Sequence, residues 1–172
     1  MTRGDEAKLF ETSLVFELSS PIATQVMELR RHPRLAAYSA GLPHPHMTLL
    51  FIGALSEPLV EALRPEICVA PYSDIDAQLN GWGIFGRGDG TCNIHLRVSP
   101  EPELVAAHQW ALNVCRRQAW APPPDVSGPN YVPHITVADG AREGSTILRS
   151  LEHSSIPSRV RLTALQLRAH RC

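Results

Sequence analysis

One short pattern, Pro-His-x-Thr, occurs twice in the chain, and each copy opens an apolar run. The first copy is Pro45–Thr48 and the second is Pro133–Thr136. Both runs are rich in large or β-branched apolar residues and end at a glycine, as is typical of short strands. Side chains two residues apart on a strand share a face. Each copy therefore predicts an imidazole beside a hydroxyl, with Met47 and Ile135 turned into the core.

The segments around the two copies repeat as well. Each half of the chain predicts a strand, a helix, a loop, the His-x-Thr strand, a helix and a final strand. In both halves the first helix ends in a double arginine, Arg30-Arg31 and Arg116-Arg117. We therefore predict a single domain spanning residues 1–172, with intertwined lobes at approximately 12–91 and 92–172 related by a pseudo-twofold axis.

Two local features refine this prediction. A glycine-rich turn between two strand patterns indicates an antiparallel hairpin at residues 84–94, which favours an α+β fold over a parallel α/β sheet. The last strand pattern alternates apolar and polar residues but slips once at Ala164-Leu165, which predicts a β-bulge. Duplication about an axis would bring the two His-x-Thr strands face to face.

Composition narrows the function classes. A chain of 172 residues can bury a sizeable core without disulfides or metals. The net charge of −1 disfavours a general nucleic-acid-coating protein, which needs a basic stripe. Residues 87–172 carry ten Lys or Arg against seven Asp or Glu. This excess would suit a small anionic ligand, although scattered surface arginines are an equally simple account.

Several features predict where the protein resides. The four cysteines show no paired spacing, so neither a zinc site nor a disulfide framework is indicated, and reduced thiols are expected. Residues 1–11 lack the apolar segment of a signal peptide, and no run is long and apolar enough for a membrane helix. We expect a cytoplasmic monomer that does not associate with membranes.

His46 and His134 are the strongest candidates for chemistry. Histidine titrates near neutral pH, so one imidazole can act as a base while a second acts as an acid across a reacting centre. In-line displacement at phosphorus needs such a pair, one group to activate the attacking water and the other to protonate the departing oxygen. The hydroxyls of Thr48 and Thr136 could bind the non-bridging oxygens and stabilise the charge that builds there.

Other candidate residues receive simpler interpretations. His44 and His46 could chelate a metal, but no carboxylate or cysteine cluster lies nearby to complete the ligand set, so no metal site and no cofactor are predicted. Five histidines are interpreted as hydrogen-bonded core or surface residues: His32, His95, His108, His153 and His170. Three aromatic residues are expected in the core: Phe51, Trp82 and Phe85.

At this point the chain resembles the 2H phosphoesterase superfamily, which is named for two H-x-[T/S]-x motifs. Those motifs are His46-Met47-Thr48-Leu49 and His134-Ile135-Thr136-Val137 here. The resemblance covers nearly the whole chain, including the motif separation and the strand end Gly83–Gly86. It implies a two-lobed α+β fold in which antiparallel sheets flank a central cleft and helices lie outside.

The resemblance also implies an activity. The family contains 2′-5′ RNA ligases, 2′,3′-cyclic nucleotide phosphodiesterases and enzymes that degrade 2′-5′ oligoadenylates. By similarity, both histidines and both threonines line the cleft around one phosphate, without a metal. His134 would activate water and His46 would protonate the leaving oxygen, and the roles exchange when the reaction reverses. The implied function is a metal-independent phosphodiesterase for 2′,3′-cyclic or 2′-5′-linked nucleotides.

Alternatives and substrate size remain open at the level of sequence. The protein could instead be a 2′-5′ RNA ligase, or a nucleotide- or RNA-binding module without turnover. Tyr131, just upstream of the second motif, could stack on a base or simply anchor its loop. Lys8 is the only lysine, which favours a nucleotide or short oligonucleotide over long RNA.

Overall fold

The computed structural model describes residues 8–151 and 154–172, so the first seven residues and His153 lie outside the description. Six strands and five α-helices are present in the described chain, together with two 3₁₀-helices at Pro124–Val126 and Gly128–Asn130. In chain order they are β1 (Leu9–Leu18), α1 (Ser20–Arg30), α2 (Ala36–Ser39), β2 (His46–Ser56), α3 (Glu57–Cys68), β3 (Ile75–Gly86), β4 (Cys92–Val98), α4 (Pro102–Arg117), β5 (His134–Ala141), α5 (Gly144–Leu151) and β6 (Arg159–Arg171).

The predicted repeat of elements is confirmed. The first half contains β1, α1, β2, α3 and β3, and the second contains β4, α4, β5, α5 and β6, so every element has a counterpart. The short helix α2 is the exception, because it lies in a stretch between α1 and the first motif that was predicted as loop. None of the described helices is long and apolar enough to cross a membrane.

The strands close into one ring in the order β1, β2, β5, β4, β3, β6, and all neighbours are antiparallel. Exchanging each strand for its counterpart in the other half leaves this order unchanged, as a pseudo-twofold axis requires. The ring has two three-stranded halves, β2-β1-β6 and β5-β4-β3, which are joined by one residue pair between β2 and β5 and by four between β3 and β6. Each half of the ring takes one strand from the other half of the chain. The predicted α+β fold with two sheets flanking a cleft is confirmed.

The helices cover the outer faces of the sheets. α3 packs on β1, β2 and β6, and α5 packs on β3 and β4. The side chains that α3 and α5 turn towards the sheets are apolar and buried, among them Leu63, Ile67, Ile147 and Leu151. The core therefore lies between sheets and helices, which leaves the other sheet faces to form the cleft.

The bulge predicted in the last strand is also confirmed. Phe16 of β1 pairs with Leu165, but Leu18 pairs with Leu162, so β6 carries an extra residue between these pairs. Before the bulge, the even-numbered Leu162 points to the core. After it, the odd-numbered Leu165 and Leu167 do so. Residue 168 is thereby turned to the cleft face.

The two motif strands meet through a single residue pair, Met47 opposite Ile135. Both side chains are fully buried, as the sequence predicted, so the histidine and threonine of each motif project from the opposite face. β2 and β5 each begin at the motif histidine and run in opposite directions. They therefore overlap only at the motifs, which fixes the centre of the cleft at their crossing.

Where the motif strands separate, side chains cap their free carbonyls. Arg30 of α1 donates from Nη2 to the Thr136 carbonyl at 2.8 Å and from Nη1 to the Pro43 carbonyl at 2.6 Å. His108 of α4 donates from Nδ1 to the Leu49 carbonyl at 2.7 Å. The first helix of each half thus holds the motif strand of the other half.

This arrangement predicts a large stabilising role for Arg30, which is 6% exposed. Arg30→Ala leaves the Pro43 and Thr136 carbonyls without their donor, so the free energy of unfolding should fall by about 2–4 kcal/mol. Urea denaturation measures the loss. The exposed neighbour Arg31 provides the matched control, because Arg31→Ala should change stability by less than about 0.5 kcal/mol. Equal losses of stability in the two variants would contradict a special role for the hydrogen bonds of Arg30.

Candidate active site

The two motif histidines lie in the same backbone setting. The Nδ1 of His46 is 2.9 Å from the carbonyl of His44, and the Nδ1 of His134 is 2.8 Å from the carbonyl of Val132. A carbonyl oxygen only accepts, so each contact is a hydrogen bond only in the tautomer that carries its proton on Nδ1. In that tautomer the Nε2 keeps a lone pair that can take a proton from a substrate or water.

The crossing of the strands brings the four predicted residues together. Because β2 and β5 are antiparallel, His46 and Thr136 lie on one side of the central pair, and His134 and Thr48 lie on the other. Each imidazole is therefore nearest the hydroxyl of the other motif. Diagonal neighbours across an antiparallel pair are about 7–8 Å apart. Such a separation leaves room for a phosphate-sized group between the rings.

A cation that the sequence analysis missed lies beside the first histidine. The Nη1 of Arg168 is 2.9 Å from the Nδ1 of His46, and its Nη2 is 3.9 Å from the Glu17 carboxylate. A guanidinium only donates, so this contact requires an Nδ1 without a proton. It therefore competes with the contact to the His44 carbonyl, which requires a proton on the same nitrogen. The signal for Arg168 was present in the predicted bulge, which turns this position of β6 to the cleft.

The environment lowers the pKa of both histidines. Burial is the largest cause for His46, the hydrogen bond to His44 opposes it, and the positive charges of Arg168 and Arg30 lower the pKa further. Burial also lowers the pKa of His134, and the hydrogen bond to Val132 opposes that change. Both imidazoles are therefore held in the neutral form near neutral pH.

A third imidazole, that of His95, lies behind His134. Its ring centroid is 5.0 Å from that of His134, and the side chain is 1% exposed. Phe85 stacks on the His95 ring at 4.1 Å and stands edge-on to His134 at 4.8 Å. Phe85, which the sequence assigned to the core, thus forms part of the cleft wall and is partly exposed.

The cleft continues into a cavity of about 550 Å³ whose lining includes Thr48, His134, Phe51 and Phe85. This volume lies within the range of small-molecule sites. Phe51 was expected in the core and instead lines this cavity, whereas Trp82 packs against the core as expected. The cavity therefore presents two aromatic side chains beside the motif residues.

Tyr131 lines the same cavity and also packs against His108. Its ring stacks on His108 at 3.9 Å with an interplanar angle of 3°. The Nε2 of His108 accepts the backbone N–H of Gly128 at 3.0 Å, so this histidine is the hydrogen-bonded core residue that was predicted. Burial raises the pKa of the Tyr131 hydroxyl. These contacts favour the loop-anchoring role, and stacking on a base stays a prediction.

The potential metal ligands do not converge. Among the described residues, no group of three His, Cys, Asp or Glu side chains is arranged to hold a metal ion. His44 is exposed and contacts His46 through its carbonyl rather than its ring. All four cysteines are free, and Cys92 and Cys115 are buried.

Comparison with solved structures identifies similar folds. E. coli LigT complexed with 3′-AMP shares 17% identity over 96% of this chain and 95% of that chain, with a TM-score of 0.60. LigT complexed with NADP⁺ also shares 17% identity over 96% of this chain and 95% of that chain, with a TM-score of 0.61. The MHV ns2 PDE domain shares 13% identity over 97% of this chain and 99% of that chain, with a TM-score of 0.53.

Sequence comparison assigns the family. No curated protein sequence matches the chain. The family model of the 2′-5′ RNA ligase superfamily matches residues 18–171, which include both His-x-Thr motifs. The chain therefore belongs to the 2′-5′ RNA ligase superfamily, among the 2H phosphoesterases.

Proposed function

We propose that the protein is a metal-independent phosphodiesterase that hydrolyses 2′,3′-cyclic or 2′-5′-linked nucleotides and short RNA. The observation that supports this proposal is the crossing of the two motif strands at Met47 and Ile135, because both imidazoles and both hydroxyls project from the same face there. Acid and base groups on opposite sides of a phosphate are what an in-line displacement requires. Family membership supports a phosphoesterase.

His134 is proposed as the general base. Its Nδ1–H donates to the Val132 carbonyl, and this bond strengthens when the ring becomes an imidazolium. The Nε2 can therefore take a proton from the attacking water while the carbonyl stabilises the charge that forms. No arginine among the described residues lowers the pKa of this ring, which suits a group that must accept a proton.

His46 is proposed as the general acid. Arg168 and Arg30 lower its pKa, so its protonated form gives up a proton more readily to the leaving oxygen. The negative charge of a bound phosphate offsets the repulsion between the imidazolium and Arg168. When the reaction runs in reverse, the same groups exchange roles.

The phosphate would be held by neutral and charged donors. The hydroxyls of Thr48 and Thr136 can donate to non-bridging oxygens, and Arg168 adds a positive charge that is only 16% exposed. Donors fixed in a partly buried site stabilise developing charge with little reorganisation. This set of donors supports binding of a phosphodiester without a divalent cation.

The cavity supports a nucleotide as substrate. Phe51 and Phe85 give it aromatic walls next to the motif residues, and aromatic faces stack on bases without strict sequence preference. Structures of E. coli LigT contain 3′-AMP, ATP or NADP⁺, which is consistent with a nucleotide ligand here. Lys8 as the only lysine favours a short substrate.

Ligation is the second candidate function, because the matching family is described as a 2′-5′ RNA ligase superfamily. Joining a 2′,3′-cyclic phosphate to a hydroxyl is the reverse transesterification and uses the same acid and base in exchanged roles. Incubation with tRNA-half-like ends, followed by analysis for a joined product, separates ligation from hydrolysis. A binding module without turnover is less favoured, because both His-x-Thr motifs are intact.

The proposed function predicts turnover in excess EDTA. A panel of 2′,3′-cyclic nucleotides and 2′-5′ oligoadenylates, with phosphorus NMR of the products, should contain at least one substrate. His46→Ala and His134→Ala should each lower kcat by about 10²–10⁴-fold while circular dichroism shows an intact fold. His44→Ala is the matched control and should retain activity, because the variant keeps the backbone carbonyl. Activity that depends on an added divalent cation would contradict the proposal.

Replacement of Arg168 should shift the pH dependence of catalysis. Arg168 lowers the pKa of His46, so Arg168→Gln should raise it. If His46 is the acid, the alkaline limb of the kcat/KM profile moves to higher pH. The maximum value of kcat/KM falls at least about tenfold, because a charged donor is lost. The exposed Arg171 on the same strand provides the control, and Arg171→Gln should leave the profile unchanged. Movement of the acidic limb would instead assign His46 as the base.

A further inference from the structure

The two motif threonines occupy equivalent positions but have different neighbours. The Nδ2 of Asn93 lies 3.2 Å from the Oγ1 of Thr136. No side chain in the described part of the chain is hydrogen-bonded to the hydroxyl of Thr48. The difference originates on the adjacent strands, where Val15 pairs with Thr48 but His95 pairs with Thr136.

The contacts around Asn93 form a consistent series of donors and acceptors. The Oδ1 of Asn93 lies 3.3 Å from the Nδ1 of His95. An amide oxygen only accepts and an amide nitrogen only donates, so the series runs from His95 Nδ1–H to Asn93 Oδ1, and from Asn93 Nδ2–H to Thr136 Oγ1. Because the Thr136 oxygen accepts from Asn93, its own proton is free to point into the cleft.

The position of His95 depends on the strand beside it. Gly83 of β3 pairs with His95, and a methyl group at residue 83 would overlap the Nε2 of the His95 ring. Phe85 stacks on the same ring. The imidazole is therefore confined between the glycine backbone and an aromatic side chain, with the Nδ1 edge towards Asn93.

The protonation state of His95 suits this arrangement. Burial is the main cause that lowers its pKa to about 4, the neighbouring His134 and Arg97 lower it further, and a hydrogen bond to the backbone of Asn93 opposes these changes. The ring is thus neutral at neutral pH and carries one proton. The contact with the Asn93 oxygen places that proton on Nδ1.

We propose that His95 and Asn93 are positioning residues that direct the hydroxyl proton of Thr136 towards a non-bridging oxygen of the bound phosphate. This inference rests on the proposed function and deepens it, because it makes the second motif a preset donor and the first motif a rotatable one. A donor that is already oriented stabilises developing charge without reorganisation at the moment of reaction. Its loss should therefore lower kcat more than it raises KM.

A double-mutant cycle tests the series. Asn93→Ala should lower kcat/KM for the preferred cyclic nucleotide by about tenfold in the wild-type background. In the isosteric Thr136→Val background, which has no hydroxyl to orient, the same substitution should change kcat/KM by less than about twofold. An equal loss in both backgrounds, or no loss in either, would overturn the proposal.

Asn93→Asp separates orientation from packing. The carboxylate keeps the shape of the side chain but only accepts, so it draws the Thr136 proton away from the phosphate. The loss of kcat/KM should exceed that of Asn93→Ala. The same substitution in the Thr136→Val background measures the effect of the added charge alone, which is then subtracted. A milder loss than that of Asn93→Ala would indicate a merely structural role. Ser13→Ala, at the corresponding position of β1, is the control and should leave kcat/KM unchanged.

Two further measurements make the outcome independent of turnover. Nitrogen-15 NMR of the histidines should show the His95 proton on Nδ1 in the wild type, and a proton on Nε2 would overturn the proposal. If no member of the substrate panel is turned over, the proposed function fails. The double-mutant cycle is then measured from the dissociation constant of inorganic phosphate instead of kcat/KM. Coupling between Asn93 and Thr136 in that constant supports the series, and additive effects or a lack of phosphate binding overturn it.

Discussion

The site depends on one buried contact, the pair formed by Met47 and Ile135 where the motif strands cross. Their burial forces the neighbouring imidazoles and hydroxyls to the opposite face, because side chains alternate along a strand. A slip of one residue would turn the imidazoles into the core. The carbonyls left free on either side of the crossing are capped by Arg30 and His108, so each half of the chain secures the motif strand of the other half.

The pseudo-twofold axis relates the strands of the two halves, but the side chains on the two sides of the cleft differ in chemistry. Arg168 pairs with Ser13 on one side of the cleft, and Phe85 pairs with Asn93 on the other. Ser13 and Asn93 each lie two residues before the partner of a motif threonine, so Arg168 and Phe85 occupy corresponding places. One sheet therefore brings a positive charge to the cleft, while the other brings an aromatic wall.

The sequence predicted the parts of the fold that depend on local pattern. The repeat of elements, the buried Met47 and Ile135, and the bulge in β6 all follow from alternation and spacing within short segments. The roles of Arg168 and His95 could not be predicted this way, because they depend on which strands become neighbours. Arg168 reaches His46 across 122 residues of chain. His95 gains its place because Gly83, on the paired strand, leaves space for the ring.

An acid and a base that act on one phosphate need similar positions but different affinities for the proton. The duplicated fold supplies the similarity, because the Nδ1 of each imidazole lies within hydrogen-bond distance of the carbonyl two residues earlier. The difference comes from residues outside the motifs, since Arg168 and Arg30 lower the pKa of His46 but not that of His134. Divergence on the flanking strands can thus assign the two roles without disturbing the crossing that positions both groups.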